Sequence, residues 1–456
     1  MPTQKLAEYI GGLSFNVIPH SAKQNCKELI LDTLGVALRG SGTKHGKIAA
    51  DFAKDFADKK EATIIGYGHK SSCLNAAFAN SVMAHALDFD DCYDAALIHA
   101  GCVIIPAALA MGEVEGISGK DFITAVIGGY DVSCRVAACI FPWGNTPLGQ
   151  HVTGTANCFG AAAVAGKILR LGRDELVSAF GIAGDSAAGL RQYREGGDMS
   201  KSFHAGKAAQ NGILAALLAH RGFAGPPRIL EGRFGFCRVF SQDHYNLAEL
   251  TKGLGEEFKL SQSSVKPYPS CRHTHGAIEA ALTLQRKYNL EVGGIEKVVL
   301  HTYDMAVRMT DTPLPETVLQ AILSQQYCIA TALVRRRVSV NDFYFLSSER
   351  SETERVRELM EKIEVVESSE FTKVGEEKHS YPSELEIVMR DGKILTQRID
   401  YPLGSPERPM PDLELTNKFR DLACSVLSET KLEELMNSIV KLEQVGDVRE
   451  LAEFLY

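Results

Sequence analysis

The stretch that decides the fold is SELEIVMRDGKILTQRIDY, Ser383 to Tyr401. Apolar and polar residues alternate on both sides of Asp391-Gly392, and alternation with a period of two is typical of a half-buried strand. An Asp-Gly dipeptide between two such runs predicts a type I′ turn and an antiparallel hairpin. The chain therefore contains a sheet, which excludes an all-helical fold.

The residues upstream of the hairpin extend this sheet and add helices to it. IEKVVLHTY, Ile295 to Tyr303, alternates and is rich in β-branched residues, so it predicts a third strand. Apolar residues at helical spacing follow in Pro315 to Arg335 and in Ser351 to Lys362. Residues 266–402 are therefore predicted to form an α+β unit.

The first half of the chain has helical periodicity throughout. Many of these segments are rich in Ala and Gly, whose small side chains let helices approach closely, so a compact bundle is predicted. The predicted helices are Ala22 to Leu38, Leu74 to Leu87, Ile104 to Glu115, Asp121 to Ile140, Thr155 to Leu171, Asp174 to Leu190 and His204 to Arg221. Residues 413–456 return to the helical pattern after a proline-rich connector at 404–411.

Chain length indicates more than one unit. A single hydrophobic core stops growing at roughly 250–300 residues, and this chain has 456. We predict a mainly α fold with an α+β second domain. Residues 1–265 and 403–456 form a large helical-bundle domain, and residues 266–402 form a smaller inserted lid domain.

Composition narrows the function classes. The chain has a formal net charge of −8 and a pI near 5.9, so no basic face for nucleic acid is expected. The best apolar run, Cys102 to Met111, contains Pro106 and is shorter than the roughly 20 residues that a bilayer needs. The N-terminus shows no signal-peptide pattern, and the 11 cysteines form no CxxC pair. These features predict a cytoplasmic protein with reduced thiols, no zinc site and no membrane partner.

The first candidate for chemistry is HALDFDDCYDAALIHAG, His85 to Gly101, which holds four aspartates between two histidines. Carboxylates beside imidazoles suit proton transfer, and they also suit a divalent cation. A solvated acidic loop after a helix end is the simpler interpretation. The many apolar residues around the aspartates argue against it, because such sequence favours burial.

The second candidate is LGQHVTGTANCFGAAAVAG, Leu148 to Gly166, where His151 precedes a Thr-Gly-Thr turn and a helix of small residues. Free N–H groups at a helix N-terminus bind carboxylates. A capped, buried helix with a hydrogen-bonded core histidine is the alternative interpretation.

The third candidate is GGDMSKSFHAGKAAQNG, Gly196 to Gly212. Lys201 and His204 are three residues apart, which places them on one face at the start of a helix. The alternative is that Lys201 and Lys207 are ordinary surface lysines.

The fourth candidate is KPYPSCRHTHGAIEAAL, Lys266 to Leu282. Lys266, Arg272, His273 and His275 lie on a loop that two prolines stiffen, and a stiff loop loses less entropy when it holds cations in place. A solvated basic loop, the alternative, would not need this stiffening. Motifs for nucleotide phosphates and the GxSxG nucleophile elbow are absent from the sequence.

At these places the sequence resembles the MmgE/PrpD family, which includes 2-methylcitrate dehydratase, cis-aconitate decarboxylase and iminodisuccinate epimerase. The resemblance runs nearly end to end and includes LILDTLGVALRGS, AHALDFDD, HVTGTA, SKSFHAGKAAQNG, KPYPSCRHTH and RDGKILTQRIDYPLGSPERPM. It implies a large helical domain with a smaller α+β lid, a homodimer, and catalysis without a metal or organic cofactor.

The resemblance also implies a site between the two domains. Its proton-transfer and cationic groups match Asp88, His99, His151, Lys201 and Lys266 in this sequence. The residues that we assign to substrate binding are Arg272, His273, His275, His204, Cys92, Thr153 and Tyr327. Cys92 stands where the cis-aconitate decarboxylases carry threonine, and Cys271 where they carry histidine.

We therefore predict a cofactor-free lyase that moves a proton next to a carboxylate of a small polycarboxylate, most like 2-methylcitrate dehydratase. Lys201, Lys266 and Arg272 would hold the carboxylates and stabilise the anionic intermediate. His99, oriented by Asp88, would act as acid or base with His151 opposite; alternatively, one lysine with a depressed pKa would be the base.

Four other interpretations stay open at this point. Two are enzymes of the same family type, an epimerase of an imino or amino dicarboxylate and a cis-aconitate decarboxylase. The third is a catalytically silent carboxylate-binding protein, and the fourth is a metal enzyme built on the aspartates.

Overall fold

A computed structural model of the protein describes residues 1–145, 147–343 and 350–456, with the backbone alone at 350 and 351. Helices dominate these residues, and a smaller α+β region follows the helical first half, so the predicted fold class is confirmed. The helices before residue 242 are α1 (Pro2–Gly12), α2 (His20–Ser41), α3 (Lys44–Asp55), α4 (Cys73–His85), α5 (Gly101–Glu115), α6 (Gly119–Ile140), α7 (Val152–Thr155), α8 (Asn157–Ile168), α9 (Arg173–Asp185), α10 (Tyr193–Gly196), α11 (Ser200–His220) and α12 (Phe236–Ser241).

The predicted helices of this half are all present, with one clear difference in length. The helix predicted to run to Leu190 ends at Asp185. Leu190 instead forms a β-bridge with Gln150, so the chain leaves the helix and returns to the segment that carries His151. The correction matters for function because it places residues 186–192 beside a candidate site residue.

Close packing of the body depends on its small residues. Helix α8 is almost completely buried and packs against α5, α6, α9 and α11. A Cβ placed on Gly212 of α11 would lie 2.4 Å from the Cβ of Ala161 on α8. Only glycine therefore allows these two helices to approach this closely.

Among the described residues, helix α6 has the length and apolar composition of a membrane span, which corrects the prediction that no segment is long enough. It covers Gly119–Ile140, with 94% of its apolar window buried inside the protein. That burial is what the core helix of a bundle shows, and α6 packs along α8.

Eight short and long strands occur in the part of the chain that the structure describes. They are β1 (Ala62–Thr63), β2 (Lys70–Ser71), β3 (Cys92–Tyr93), β4 (Ser263–Ser264), β5 (Ile295–Thr302), β6 (Ile363–Glu367), β7 (Ser383–Met389) and β8 (Ile394–Ile399). The last four form one sheet in the order β6-β5-β7-β8, in which only β5 and β6 are parallel. The predicted strand and hairpin are confirmed, whereas β6 was not predicted.

The turn of the hairpin differs from its prediction. A type I′ turn needs a positive φ at both central residues, but of Asp391 and Gly392 only Gly392 has one, at 84°. The pairing ends at Val388 and Ile394, so the loop is longer than two residues. Gly392 therefore provides the left-handed position of a longer loop.

The helices after residue 270 belong to two packing environments. They are α13 (His275–Tyr288), α14 (Asp304–Thr310), α15 (Val318–Ile322), α16 (Gln325–Arg335), α17 (Arg350–Met360), α18 (Ser369–Lys378), α19 (Asp412–Ala423), α20 (Glu429–Val440) and α21 (Arg449–Ala452). The helix predicted from Pro315 to Arg335 is split in two, because Ser324 caps a new helix by accepting the N–H of Tyr327 at 3.0 Å.

Two main hydrophobic clusters reflect the predicted division of the chain. The larger one joins buried residues between Leu6 and Leu260 to residues of the C-terminal helices, such as Phe419 and Leu435. The second lies between Ala277 and Ile399 and packs on the sheet. The domain boundaries at 265/266 and 402/403 stay predictions, but C-terminal helices do pack on the body.

Candidate active site

The segment from His85 to Gly101 is folded into the protein interior. Asp88, Asp90 and Asp91 are buried, which excludes the solvated acidic loop. Asp88 has a positive φ of 51°, so the chain turns sharply after α4. Strand β3 then pairs with β4, with Cys92 opposite Ser264. This pairing brings the acidic segment beside the residues that directly precede Lys266.

Asp88 lies between two lysines that come from distant parts of the chain. Its Oδ1 is 2.7 Å from the Lys266 Nζ and its Oδ2 is 2.8 Å from the Lys201 Nζ. Burial by itself would raise the pKa of Asp88, but the two ammonium groups outweigh it and hold the pKa well below its ordinary value. Asp88 is therefore an anion that joins the acidic segment to both predicted cationic segments.

The hypothesis of a lysine with a depressed pKa is wrong for Lys201. Burial would lower the pKa of Lys201, but the Asp88 carboxylate raises it above its ordinary value. Lys201 is thus a protonated donor rather than a base. Lys266 is completely buried and also donates to the Asp88 carbonyl oxygen at 2.7 Å, so it holds both the side chain and the backbone of Asp88 in place.

His99 is oriented by two neighbours, neither of which is the predicted Asp88. Its Nδ1 donates to the Asp91 carbonyl oxygen at 2.8 Å and lies 3.5 Å from Oδ2 of Asp90. Because a carbonyl oxygen only accepts, Nδ1 carries the proton and Nε2 keeps its lone pair. Burial, together with the nearby Lys266, His85 and Lys201, lowers the pKa of His99 to about 3 against the opposing effect of Asp90. The imidazole is therefore a neutral acceptor near pH 7.

His85 completes this cluster and bears on the metal interpretation. His85, Asp90 and His99 offer ligand atoms within 4.8 Å of one another. However, the His85 Nδ1 bonds to Asp90 at 2.8 Å, and the His99 Nδ1 is a hydrogen-bond donor. Ring nitrogens that carry protons do not ligate metals. With Nδ1 protonated on both rings, a metal at this cluster would have to bind the Nε2 atoms, and chelator treatment tests that arrangement.

His151 and His204 form a second imidazole pair. Their Nδ1 atoms are 3.1 Å apart, so one donates and the other accepts. Burial lowers the pKa of His151 well below its ordinary value and that of His204 to about 4, with the nearby His85 adding to both shifts. Thr153 follows closely in the chain, and its hydroxyl accepts the backbone N–H of His99 at 3.2 Å. His204 and Thr153 thus support His151 and His99.

The basic loop after Lys266 uses most of its donors within the protein. Arg272 donates to the Leu403 carbonyl oxygen at 3.1 Å and to the hydroxyls of Ser405 at 3.2 Å and Ser264 at 3.3 Å. His275 is completely buried and bonds to the Ser270 carbonyl oxygen at 3.2 Å. These two residues therefore stabilise the conformation of the loop. We had predicted instead that Arg272 would be free to bind a substrate carboxylate.

Tyr327 lies away from the other candidates. Its hydroxyl donates to the Asp342 carbonyl oxygen at 2.6 Å, and its ring packs 5.4 Å from that of Phe343. It lines a separate pocket with Val356 and Met360. The structure therefore places this predicted substrate-binding residue in the packing of the α+β region.

A small, partly enclosed cavity is lined by most of the remaining candidates. The predicted residues that line it are Asp88, Cys92, His99, His151, Lys201, Arg272 and His273. Cys271 lines it as well, and the lining residues that we did not predict are Leu97, Arg191, Tyr193, Arg194, Met309 and Leu323. Burial raises the pKa of both thiols, so Cys92 and Cys271 present neutral S–H groups.

The two missed arginines had a signal in the sequence. RQYREGG, Arg191 to Gly197, lies directly before the third candidate segment, and its arginines are three residues apart. The spacing argument used for Lys201 and His204 applies to them equally. Among described residues, the charged groups that line the cavity are then Arg191, Arg194, Lys201 and Arg272 against Asp88 alone. The cavity is suited to an anion.

Comparisons with known proteins cover most of the chain. A model of the MmgE/PrpD N-terminal domain matches residues 4–248, and a model of the MmgE/PrpD C-terminal domain matches residues 268–444. A cis-aconitate decarboxylase-like protein of Aspergillus oryzae is 30% identical over 98% of this chain and 96% of its own length.

Two other relatives carry different activities in their names. The cis-aconitate decarboxylase of Homo sapiens is 27% identical over 99% of this chain and 94% of its own length. The 2-methylcitrate dehydratase of Salmonella typhi is 25% identical over 91% of this chain and 88% of its own length. With both family domains matched along most of its length, the chain belongs to the MmgE/PrpD family.

Proposed function

We propose that the protein is a cofactor-independent lyase that moves a proton next to a carboxylate of a small di- or tricarboxylate. The observation that carries this proposal is the pairing of opposite proton functions in one cavity. His99 is a neutral acceptor with a free Nε2, and Lys201 is a donor that Asp88 keeps protonated. An acid and a base that face one cationic cavity suit carbanion chemistry.

In a decarboxylation, the bond between the substrate carbon and its carboxylate breaks and carbon dioxide leaves. The electron pair remains on carbon and delocalises into a neighbouring carboxylate as an enediolate-like anion. Fixed positive groups stabilise this anion, and a single preorganised donor contributes roughly 3–4 kcal/mol in such sites. Lys201 is placed to return a proton to carbon, and solvent then restores the proton of Lys201.

In a dehydration, the same groups act in a different order. The Nε2 of His99 removes the proton next to a carboxylate, and an acid protonates the departing hydroxyl so that it leaves as water. Lys201 and the His151–His204 pair are the groups that can donate this proton to the hydroxyl. Both reactions pass through one kind of anion, so the site supports either.

Sequence identity orders the substrates to be tested. Relatives named cis-aconitate decarboxylase or decarboxylase-like are 27–30% identical to this chain. Those named 2-methylcitrate dehydratase are 24–25% identical. We therefore place cis-aconitate first and 2-methylcitrate second, which reverses the order predicted from the sequence. Cytoplasmic location and a homodimer stay predictions.

An epimerase of a dicarboxylate is the second candidate. It needs two proton carriers at one substrate carbon, and His99 and His151 line the same cavity. A silent carboxylate-binding protein would need the cations only, whereas this cavity also presents three neutral histidines, His99, His151 and His273.

The deciding experiment is incubation in D₂O with cis-aconitate, 2-methylcitrate, citrate and iminodisuccinate, each followed by NMR. Loss of carbon dioxide, loss of water, or deuterium exchange without net change identifies decarboxylase, dehydratase or epimerase. If the reaction is a dehydration or an epimerisation, His99→Gln should abolish the signal, and His220→Gln, an exposed site on α11, is the matched control. No reaction and no deuterium incorporation with all four compounds would overturn the proposal, and loss of activity with a chelator would favour a metal enzyme.

A further inference from the structure

Two arginines in the cavity differ from the other enclosed arginines of the protein. Arg191 and Arg194 are half-buried and line the cavity from the segment that begins α10. In the part of the chain that the structure describes, neither guanidinium has a carboxylate within 4 Å. Arg272, by contrast, lies 3.6 Å from Asp94, and the buried Arg335 pairs with Asp342.

The partners of the two arginines are neutral groups that fix their position. Arg191 donates from Nε to the Gln150 carbonyl oxygen at 2.8 Å and from Nη2 to the Asn145 Oδ1 at 2.5 Å. Arg194 donates from Nη2 to the Met309 carbonyl oxygen at 2.7 Å. Both side chains are thus held in place while their charges stay uncompensated.

Uncompensated neighbouring charges of one sign destabilise each other in a partly dry cavity. Burial lowers the pKa of Arg191, and the adjacent Arg194 lowers it further. An anion bound between them would relieve this repulsion. A carboxylate fits best, because the planar fork of a guanidinium matches its two oxygens.

The arginines form a second positive centre, separate from the lysine pair. Lys201 and Lys266 are the cations that shift the pKa values of Asp88 and His99. Arg191 and Arg194 instead act most strongly, after burial, on His273, whose pKa is lowered to about 3. The cavity therefore has one cationic region at the proton-transfer groups and another beside His273.

We propose that Arg191 and Arg194 form the subsite for the third carboxylate of a tricarboxylate substrate, remote from the carbon at which His99 and Lys201 act. This assignment rests on the proposed function and deepens it. It selects tricarboxylates over dicarboxylates that lack the remote group, and it transfers to these arginines the clamp role that we had predicted for Arg272.

The test uses two ligands that differ by one carboxylate. Tricarballylate has three carboxylates on a propane chain, and methylsuccinate has the same skeleton with one terminal –CH₂COO⁻ replaced by –CH₃. Calorimetric titration of the full chain should show tricarballylate binding at least about tenfold more tightly, since charge-assisted hydrogen bonds have that strength. Equal affinities would overturn the subsite.

Variants then assign the difference to the arginines. In Arg194→Gln and in Arg191→Gln, the advantage of tricarballylate should fall below about threefold, while methylsuccinate affinity stays within about twofold. Arg221→Gln, an exposed site at the end of α11, is the matched control and should keep the full advantage. An unchanged advantage in Arg194→Gln with a native thermal melt would overturn the proposal.

A conservative variant keeps the test decisive if a glutamine variant does not fold. Arg194→Lys retains the charge and loses the fork, so its tricarballylate advantage should fall at least about threefold. An undiminished advantage in this variant also overturns the assignment. These experiments measure binding, so a result that rejects the subsite does not bear on whether the protein converts cis-aconitate. Conversely, if the protein prefers tricarballylate but converts no substrate, only the proposed function is rejected.

Discussion

Two basic segments approach the same cavity, and they use their charge in opposite ways. The loop Lys266 to His275 has the denser charge, yet Lys266 is bound to Asp88 and Arg272 to backbone and hydroxyl oxygens. The segment Arg191 to Lys201 has a less conspicuous sequence, but its two arginines meet no carboxylate among the described residues. A ligand site is therefore marked by charge that has no partner within the protein rather than by the density of basic residues in the sequence.

The first loop can be described as structural and the second as binding, with the proton-transfer groups between them. Arg272 connects residues 264, 403 and 405, which lie on both sides of the α+β region in the chain. Arg194 reaches Met309 and so connects the two regions across the cavity itself. Substitutions in the first loop should therefore lower stability, whereas substitutions of the arginines in the second segment should lower ligand binding.

The largest effect is expected at the base that both segments surround. His99→Gln removes the free Nε2 while its side-chain amide can still donate to the Asp91 carbonyl oxygen. For a dehydration or an epimerisation, in which Nε2 carries the substrate proton, we expect kcat to fall by about 10²–10⁴-fold, the usual contribution of general acid–base catalysis, with little change in the thermal melt. Steady-state kinetics on the active substrate check this, and kcat within threefold of wild type would contradict the role of His99.

Arg272 and Arg194 should contribute differently to the free energy of unfolding. Arg272→Gln removes several bonds of a buried cation and leaves Asp94 without its neighbour, so unfolding should cost about 3–5 kcal/mol less than in wild type. Arg194→Gln removes a half-buried cation that has no carboxylate partner, and about 1 kcal/mol or less is expected. Urea unfolding curves measure both, and equal losses would remove the distinction between the segments.

The sequence predicted the helical body, the sheet and half of the residues that line the cavity, because those depend on local patterns. Periodicity of two or 3.6 residues is visible in any segment, and Lys201, His99 and His151 stood in conspicuous stretches. The sequence did not show which side chains contact each other. In the structure His99 contacts Asp91 and Asp90, and Asp88 contacts two lysines. Such pairings depend on the tertiary fold, and so does the availability of Arg191 and Arg194.

Acid should weaken the fold through the buried imidazoles, and His99 allows the effect to be isolated. Its pKa is about 3 in the folded chain and about 6.5 when unfolded. Between these values only the unfolded chain binds the proton, so stability is lost as pH falls from 6.5 towards 3. Each such proton contributes a slope of about 1.4 kcal/mol per pH unit.

His99→Gln removes that proton from the balance. Its unfolding free energy should therefore depend less steeply on pH between 6 and 4.5, by about 1.4 kcal/mol per pH unit. Urea unfolding at four pH values compares the two slopes, and the other titrating groups cancel in the difference. Identical slopes would mean that His99 is not buried in its neutral form.

The smallest effect tests where the site ends on the side of the α+β region. Tyr327→Phe loses one hydrogen bond to the Asp342 carbonyl oxygen, so about 1 kcal/mol of stability should be lost. Turnover should be unchanged, because Tyr327 lines a pocket other than the one that holds Asp88 and His99. Tyr193→Phe is the matched comparison, since Tyr193 lines the cavity and its ring lies 5.5 Å from His151. A tenfold loss of kcat/KM in Tyr327→Phe and none in Tyr193→Phe would show that substrate binding rearranges this region and brings Tyr327 to the substrate, as the family resemblance implied.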